Sequence, residues 1–250
     1  MPSDIQTVGV LGGGVMGAGI AQALAVGGCR VTVRDLTPEL IDKARATIVD
    51  GRYGLKRGVE RGKTTQADAD AALARLSFTT DLNDLRGVDL IVEAVPENID
   101  LKKKVFAEVD QIVRAEALFA SNTSGLAISA LNQAVSDARR PRFIGMHWFS
   151  PAPVMKLVEL VHAPETSEDT VQALETLCQK AGKVSIRVKD APGAYGFVAN
   201  RIYFAAVREA QKVMEEGIAS VEDINKAMVH GFNWPVGPLA MVEGATKGWQ

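Results

Sequence analysis

Val8-Gly9-Val10-Leu11-Gly12-Gly13-Gly14-Val15-Met16-Gly17 is the stretch on which the fold turns. A short buried-strand run comes first. Gly12, Gly14 and Gly17 follow in G-x-G-x-x-G spacing and lead into an amphipathic segment, residues 16–26. Glycine-rich turns are common, so the spacing alone says little; its place between a strand and a helix says more. There Gly12 permits a tight turn, Gly14 lets the backbone approach a pyrophosphate, and Gly17 lets helix and strand pack closely. Val15 and Met16 lie at the helix N-terminus, whose unpaired N–H groups suit an anion. A second run, residues 31–34, leads to Asp35, about 20 positions after Gly14. A carboxylate there accepts hydrogen bonds from the ribose hydroxyls of NAD and repels the 2′-phosphate of NADP. Arg34 precedes it and is expected, by strand alternation, on the opposite face. NAD is the expected cofactor; NADP and a purely structural glycine turn are the alternatives.

Outward from this stretch, short apolar runs alternate with amphipathic segments as far as residue 188. Strands are expected at 8–11, 31–34, 90–94, 118–120, 143–146 and 156–160, with a further short run at 184–188. Helices are expected at 16–26, 38–57, 66–76, 99–114 and 166–180, several opened by Thr or Ser caps. The pattern predicts an α/β fold of the Rossmann type, a doubly wound and mainly parallel sheet. After about residue 189 strand signals cease, and 197–216 and 221–229 read as helices. The expected division is a dinucleotide-binding domain at 1–188 and a small all-helical domain at 189–250. Sixty-two residues make a marginal core, so packing against a second copy, as a two-fold homodimer, is expected.

Composition narrows the function. The formal net charge is −2, without the basic excess of a nucleic-acid binder. No apolar run is long enough for a membrane span, and Met1-Pro2-Ser3-Asp4 lacks the features of a secretory signal. Cys29 and Cys178 are far apart and in no zinc-ligand spacing, so no metal is expected. Two reduced thiols fit a cytoplasmic protein.

His147 ends the strand at 143–146, and Glu159 lies in the next, twelve positions on. Ser150, Pro151, Ala152 and Pro153 break the chain between them, so the strands can turn back and bring imidazole and carboxylate together. Removing hydride from an alcohol carbon requires a base for the hydroxyl proton. A carboxylate on the far ring nitrogen fixes the tautomer and stabilises the imidazolium. On spacing alone, a core histidine beside a surface glutamate is the more frequent arrangement. His162, in a loop after its strand, and His230, at a helix end, read as surface or capping residues.

Several segments resemble the 3-hydroxyacyl-CoA dehydrogenases of fatty-acid oxidation: GGGVMGAGIAQ at 12–22, VEAVPEN at 92–98, SNTSGL at 121–126, GMHWFSPAPVMKLVE at 145–159 and GFVANR at 196–201. They fall in the family's order over nearly the whole chain. The resemblance implies oxidation of an L-3-hydroxyacyl-CoA to a 3-oxoacyl-CoA, with His147 as base and Glu159 as its orienting partner. It implies that Ser124 and Asn200 face the substrate oxygen. It further implies that Glu97 and Lys102 contact the cofactor, with Lys102 near CoA as well. CoA carries several phosphates, and the basic cluster Lys56, Arg57, Arg61 and Lys63 is its expected lip by family analogy. Lys103 and Lys104 read as a solvated helix face.

Three departures stand out. Ser150 replaces the family's common asparagine as a substrate contact, 190–197 is about three residues longer than the usual run, and the chain is C-terminally shortened at Gln250. Two alternatives accompany this reading. One is a dehydrogenase of a small hydroxy acid or sugar acid; the other is a non-catalytic NAD-binding protein, although such a protein has no use for a proton acceptor.

Overall fold

The computed structural model describes residues 4–193 and 196–246. The chain divides into two compact units, Met1–Tyr195 and Gly196–Gln250. In the first, the elements run β1 (Thr7–Leu11), α1 (Val15–Val26), β2 (Arg30–Arg34), α2 (Pro38–Asp50), α3 (Leu55–Glu60), α4 (Gln66–Ala74) and β3 (Leu76–Thr79). There follow β4 (Leu90–Glu93), α5 (Ile99–Asp110), β5 (Leu118–Ser121), α6 (Ile128–Leu131), β6 (Phe143–Trp148), β7 (Leu157–His162), α7 (Glu168–Lys180) and β8 (Val184–Lys189).

The strands form one sheet in the order β3-β2-β1-β4-β5-β6-β7-β8. Neighbours are parallel except for the β6–β7 pair. This is the doubly wound, mainly parallel architecture the sequence predicts. Its strands read as continuous apolar runs because helices cover both faces. Leu90, Val92, Ile144 and Met146 join the core cluster that also holds Ile20 and Leu24 of α1. On the other face Phe106 of α5 stacks on Phe119 at 5.9 Å and meets Phe143 edge-on at 4.7 Å. Both cysteines are buried and unpaired, and burial pushes the Cys178 thiol up to about 12.

The topology sets where chemistry is possible. β1, β4, β5 and β6 point the same way, so their carboxyl ends share one edge of the sheet. Chain order reverses at β1, with β2 on one side and β4 on the other, and ligands of open α/β sheets bind outside that reversal.

Three expected boundaries are corrected. The helix expected over 38–57 breaks at Gly51, where a Cβ would lie 2.4 Å from the Thr47 carbonyl oxygen; α3 restarts after Gly54. Leu76, expected to end a helix, instead opens β3, which pairs with β2 and places Phe78 under the Arg45 guanidinium at 4.4 Å. His162 is the last residue of β7, opposite Lys189, rather than part of a following loop.

In the second unit α8 (Ala199–Glu215), α9 (Val221–Phe232) and α10 (Pro238–Thr246) follow in order. Asn225 of α9 caps α10, its Oδ1 accepting from the Leu239 and Ala240 amides at 3.1 and 3.2 Å. Gly237 is required there, because a Cβ would fall 2.3 Å from that oxygen. The Tyr203 hydroxyl of α8 donates to the Pro238 carbonyl at 3.2 Å. Among the described residues no helix is long and apolar enough to cross a membrane.

Candidate active site

The glycine turn is built as its spacing predicts. Gly12 has φ +93°, and its N–H donates to the Arg34 carbonyl at 2.9 Å. A Cβ on Gly17 would lie 1.8 Å from the Gly12 carbonyl oxygen, so helix and strand touch through bare backbone. Gly14 caps α1 and has nothing within 4 Å of the position a Cβ would take. Beside it opens a cleft of about 970 Å³, lined by Gly12–Met16, Asp35, Ala94 and Val95 among others. Asp35 stands on its wall and accepts the Gly13 N–H at 2.7 Å through Oδ2. Open space over Gly14, a helix N-terminus and a carboxylate beside the glycine turn fit a dinucleotide.

Arg34 corrects a sequence expectation. It lines the same cleft as Asp35 rather than the opposite face, with Nε donating to the Thr80 carbonyl at 3.4 Å. Strand alternation holds only within β2, and Asp35 lies just beyond its end. Asp35 is thus the acidic barrier in a cleft wall that already carries Arg34 and Lys43. Asp35→Ala is expected to raise the Kd of NAD by about tenfold or more while that of NADP rises less or falls, roughly the loss of a charged hydrogen bond. Parallel titrations with the two reduced cofactors measure the ratio, and an unchanged ratio would place the ribose contact elsewhere.

His147 and Glu159 face each other across the antiparallel β6–β7 pair. His147 Nδ1 lies 2.8 Å from Glu159 Oε2, and both side chains are buried. β6 runs on through His147 to Trp148, longer than expected, with the His147 ring 4.6 Å from that of Phe149. The turn after it contains a cis Ser150–Pro151 peptide. Lys183, just before β8, clasps this turn by donating to the Ala152 and Met155 carbonyls at 2.6 and 2.8 Å. Its ammonium lies 5.5 Å from the Trp148 ring, and burial lowers its pKa. Ser150 itself is exposed. Lys183 carries no sequence signal, because its partners are carbonyls of a turn some thirty residues away.

Ser124 lies in the loop after β5, on the same sheet edge as His147, since Ser121 pairs with Gly145. Asn122 ties the loop to β6 by accepting the Trp148 N–H at 2.9 Å. Glu97 accepts the Ser124 N–H at 2.9 Å. Lys102 departs from its expected place. It is 1% exposed, and its ammonium contacts Glu93 Oε1, the Val95 carbonyl and Glu97 Oε2 at 2.6, 3.1 and 3.3 Å. Two of these contacts are hydrogen bonds and the third an ion pair, and the structure does not bring Lys102 to a surface where CoA would lie.

Lys56 sits on α3, exposed and paired with Asp50 at 2.7 Å; Lys63 is exposed in the turn beyond. A smaller hollow of about 180 Å³, lined by Thr47, Arg52, Tyr53, Pro151 and Pro153 among others, joins the approach to α3 with the turn after His147. Asn200 occupies the first turn of α8 in the second unit. Gly196 before it has φ +72°, while Ala194 and Tyr195, in the expected insertion, lie outside the described residues. Among the described residues no group of three or more His, Cys, Asp or Glu is placed to hold a metal.

A doubly wound sheet with a glycine-walled cleft at its reversal, and a His–carboxylate pair on the same edge, defines a dinucleotide-binding protein equipped to move a proton. Comparison with known proteins gives the family. A family model described as 3-hydroxyacyl-CoA dehydrogenase, NAD binding domain, matches residues 7–191, and the C-terminal domain of the same family matches 196–249. A probable 3-hydroxybutyryl-CoA dehydrogenase of Deinococcus radiodurans is 40% identical over 235 residues, 94% of this chain and 81% of the relative. The 3-hydroxybutyryl-CoA dehydrogenase of Mycobacterium tuberculosis is also 40% identical, over 96% of this chain and 82% of its own length. The crystal structure of (S)-3-hydroxybutyryl-CoA dehydrogenase from Ralstonia eutropha superposes with a TM-score of 0.89 at 44% identity, covering 95% of this chain and 81% of that one. The chain belongs to the 3-hydroxyacyl-CoA dehydrogenase family, and its first unit is the NAD-binding domain.

Proposed function

We propose that the protein oxidises L-3-hydroxyacyl-CoA to 3-oxoacyl-CoA with NAD, and catalyses the reverse. The observation that carries this reading is the buried His147–Glu159 pair, on the sheet edge that also holds the NAD cleft. When bound, NAD supplies the hydride acceptor. His147 takes the substrate hydroxyl proton, and Glu159 holds the ring through Nδ1 so that Nε2 is the nitrogen that acts. In the reverse direction the imidazolium returns that proton to the forming alkoxide. Ser124 and Asn200 hold the substrate oxygens in register, which lowers the entropic part of the barrier. The glycine turn and Asp35 bind cofactor, and Glu97 works beside them. The hollow between Tyr53 and Pro153 supports a path for the thioester arm, with Lys56 and Lys63 proposed as contacts for the CoA phosphates and Ser150 as a further substrate contact.

The substrate class is tested by heat unfolding with added ligand. CoA esters are expected to raise Tm at concentrations where free 3-hydroxy acids and sugar acids do not. Protection by the free acids alone would move the assignment to a small hydroxy acid. The second unit, at 196–250, is proposed to carry substrate contacts and a homodimer interface. Exposed Ile202, Ile218 and Phe232 support the latter, since packing them against a second copy buries apolar surface. The buried free cysteines accord with a cytoplasmic location.

A further inference from the structure

We infer that Glu93 and Lys102 are positioning residues, a buried ion pair that acts through Glu97 to set the loop carrying Ser124. This rests on the reading of Ser124 as a substrate contact.

Side chains and the Thr123 N–H close a ring of hydrogen bonds completed by one ion pair. Glu93, at the end of β4 and fully buried, accepts from Lys102 Nζ at 2.6 Å and from the Val95 N–H at 2.7 Å through Oε1. Its Oε2 accepts from Ser121 Oγ at 2.6 Å, and Ser121 Oγ accepts the Thr123 N–H at 3.3 Å. Thr123 Oγ1 donates to Glu97 Oε1 at 2.5 Å, and Glu97 Oε2 returns to Lys102. Thr123 Oγ1 also accepts the Leu126 N–H at 2.9 Å, so the loop around Ser124 is tied on both sides.

Two features separate this ring from ordinary sheet packing. Buried charges are expensive, and an apolar pair of similar volume holds a sheet as well or better; Leu90, Ile91 and Val92 of the same strand do so. Burial pushes the Glu93 carboxyl up, against the pull of Lys102. The ring also opens outward at one place, Glu97, whose side chain is 40% exposed and whose carboxylate holds the Ser124 amide. Lys102 therefore spends its charge on orienting Glu97, and its neighbour Val95 lines the NAD cleft.

The test compares Lys102→Met, Glu97→Gln, Ser124→Ala and the double variant Glu93→Gln/Lys102→Met, with Tm, NADH Kd and kcat for reduction of a 3-oxoacyl-CoA measured on each. Lys102→Met alone strands a buried carboxylate and is expected to lower Tm by roughly 10 °C. The double variant removes both charges, so its Tm returns toward wild type. Its kcat is nevertheless expected to stay about 10–100-fold low, with NADH Kd within about threefold, because Glu97 still lacks its cation. Glu97→Gln, at a half-exposed position with little effect on folding, is expected to reproduce that loss of kcat. A double variant with Tm and kcat both near wild type would make the pair merely structural and overturn the inference. A loss confined to NADH Kd would also overturn it, in favour of direct cofactor contact. Ser124→Ala at the wild-type rate would sink the reading of Ser124 and the relay with it, whereas a slow Ser124→Ala beside a fast double variant would sink the relay alone.

Discussion

His147→Gln is expected to lower kcat by about 10²–10⁴ while NADH binds as tightly as to the wild type. The magnitude is that of removing a positioned general base. Glutamine is the informative substitution because its amide can still donate to Glu159, so the buried carboxylate at 2.8 Å is not stranded. A loss of activity then reports chemistry rather than unfolding. NADH binding should be spared because the glycine turn follows β1 and the base lies on β6, separate strands of one rigid sheet. Fluorescence titration of NADH beside steady-state turnover separates the two quantities. Turnover within a few-fold of wild type would remove His147 from the mechanism. Equal loss of binding and turnover would mean that the substitution had disturbed the sheet.

Gly17→Ala is expected to be the most damaging single methyl in the cofactor cleft. Its Cβ would fall 1.8 Å from the Gly12 carbonyl oxygen, a backbone atom that cannot swing aside. The turn must open by more than an ångström, which breaks the close contact of α1 with β1. A cost of about 2–4 kcal/mol in urea unfolding is expected, in the range of strained core substitutions. NADH affinity should drop at least about tenfold because the helix N-terminus no longer faces the phosphates. Gly14→Ala is the control. It has φ −62°, and its Cβ would meet nothing within 4 Å, so stability should stay within about 0.5 kcal/mol. Any loss of NADH affinity there reports the close approach of a ligand to the backbone. Wild-type affinity in both variants would mean that the cofactor does not cross this turn.

The fold was legible where its cause is local. A buried strand, a glycine turn and an amphipathic helix are contiguous in sequence, so their reading survives without tertiary information. The His147–Glu159 pair was legible for a related reason: a proline-rich turn joins neighbouring strands, and pairing register then follows from chain length. What escaped depends on distant closure. The resemblance marks Lys102 as a cofactor contact, but its place in a run of three lysines carries no sign of burial; only the folded chain sets it against Glu93. Arg34 was misplaced because alternation stops where the strand stops. The break at Gly51 was hidden because Ile48 and Leu55 are both buried and continue the apolar pattern across it. β3, four residues long, is too short to declare a period and owes its form to pairing with β2.

The proposed reaction is hydride exchange between the nicotinamide and C3 of a CoA-linked acyl chain. Its most direct test is to incubate the wild-type protein with acetoacetyl-CoA and NADH carrying deuterium at the transferable C4 position, and to weigh the product. Consumption of NADH with one deuterium at C3 of the resulting hydroxyacyl-CoA is the predicted result. Bound NADH with no consumption, or a reduced product free of deuterium, would contradict it.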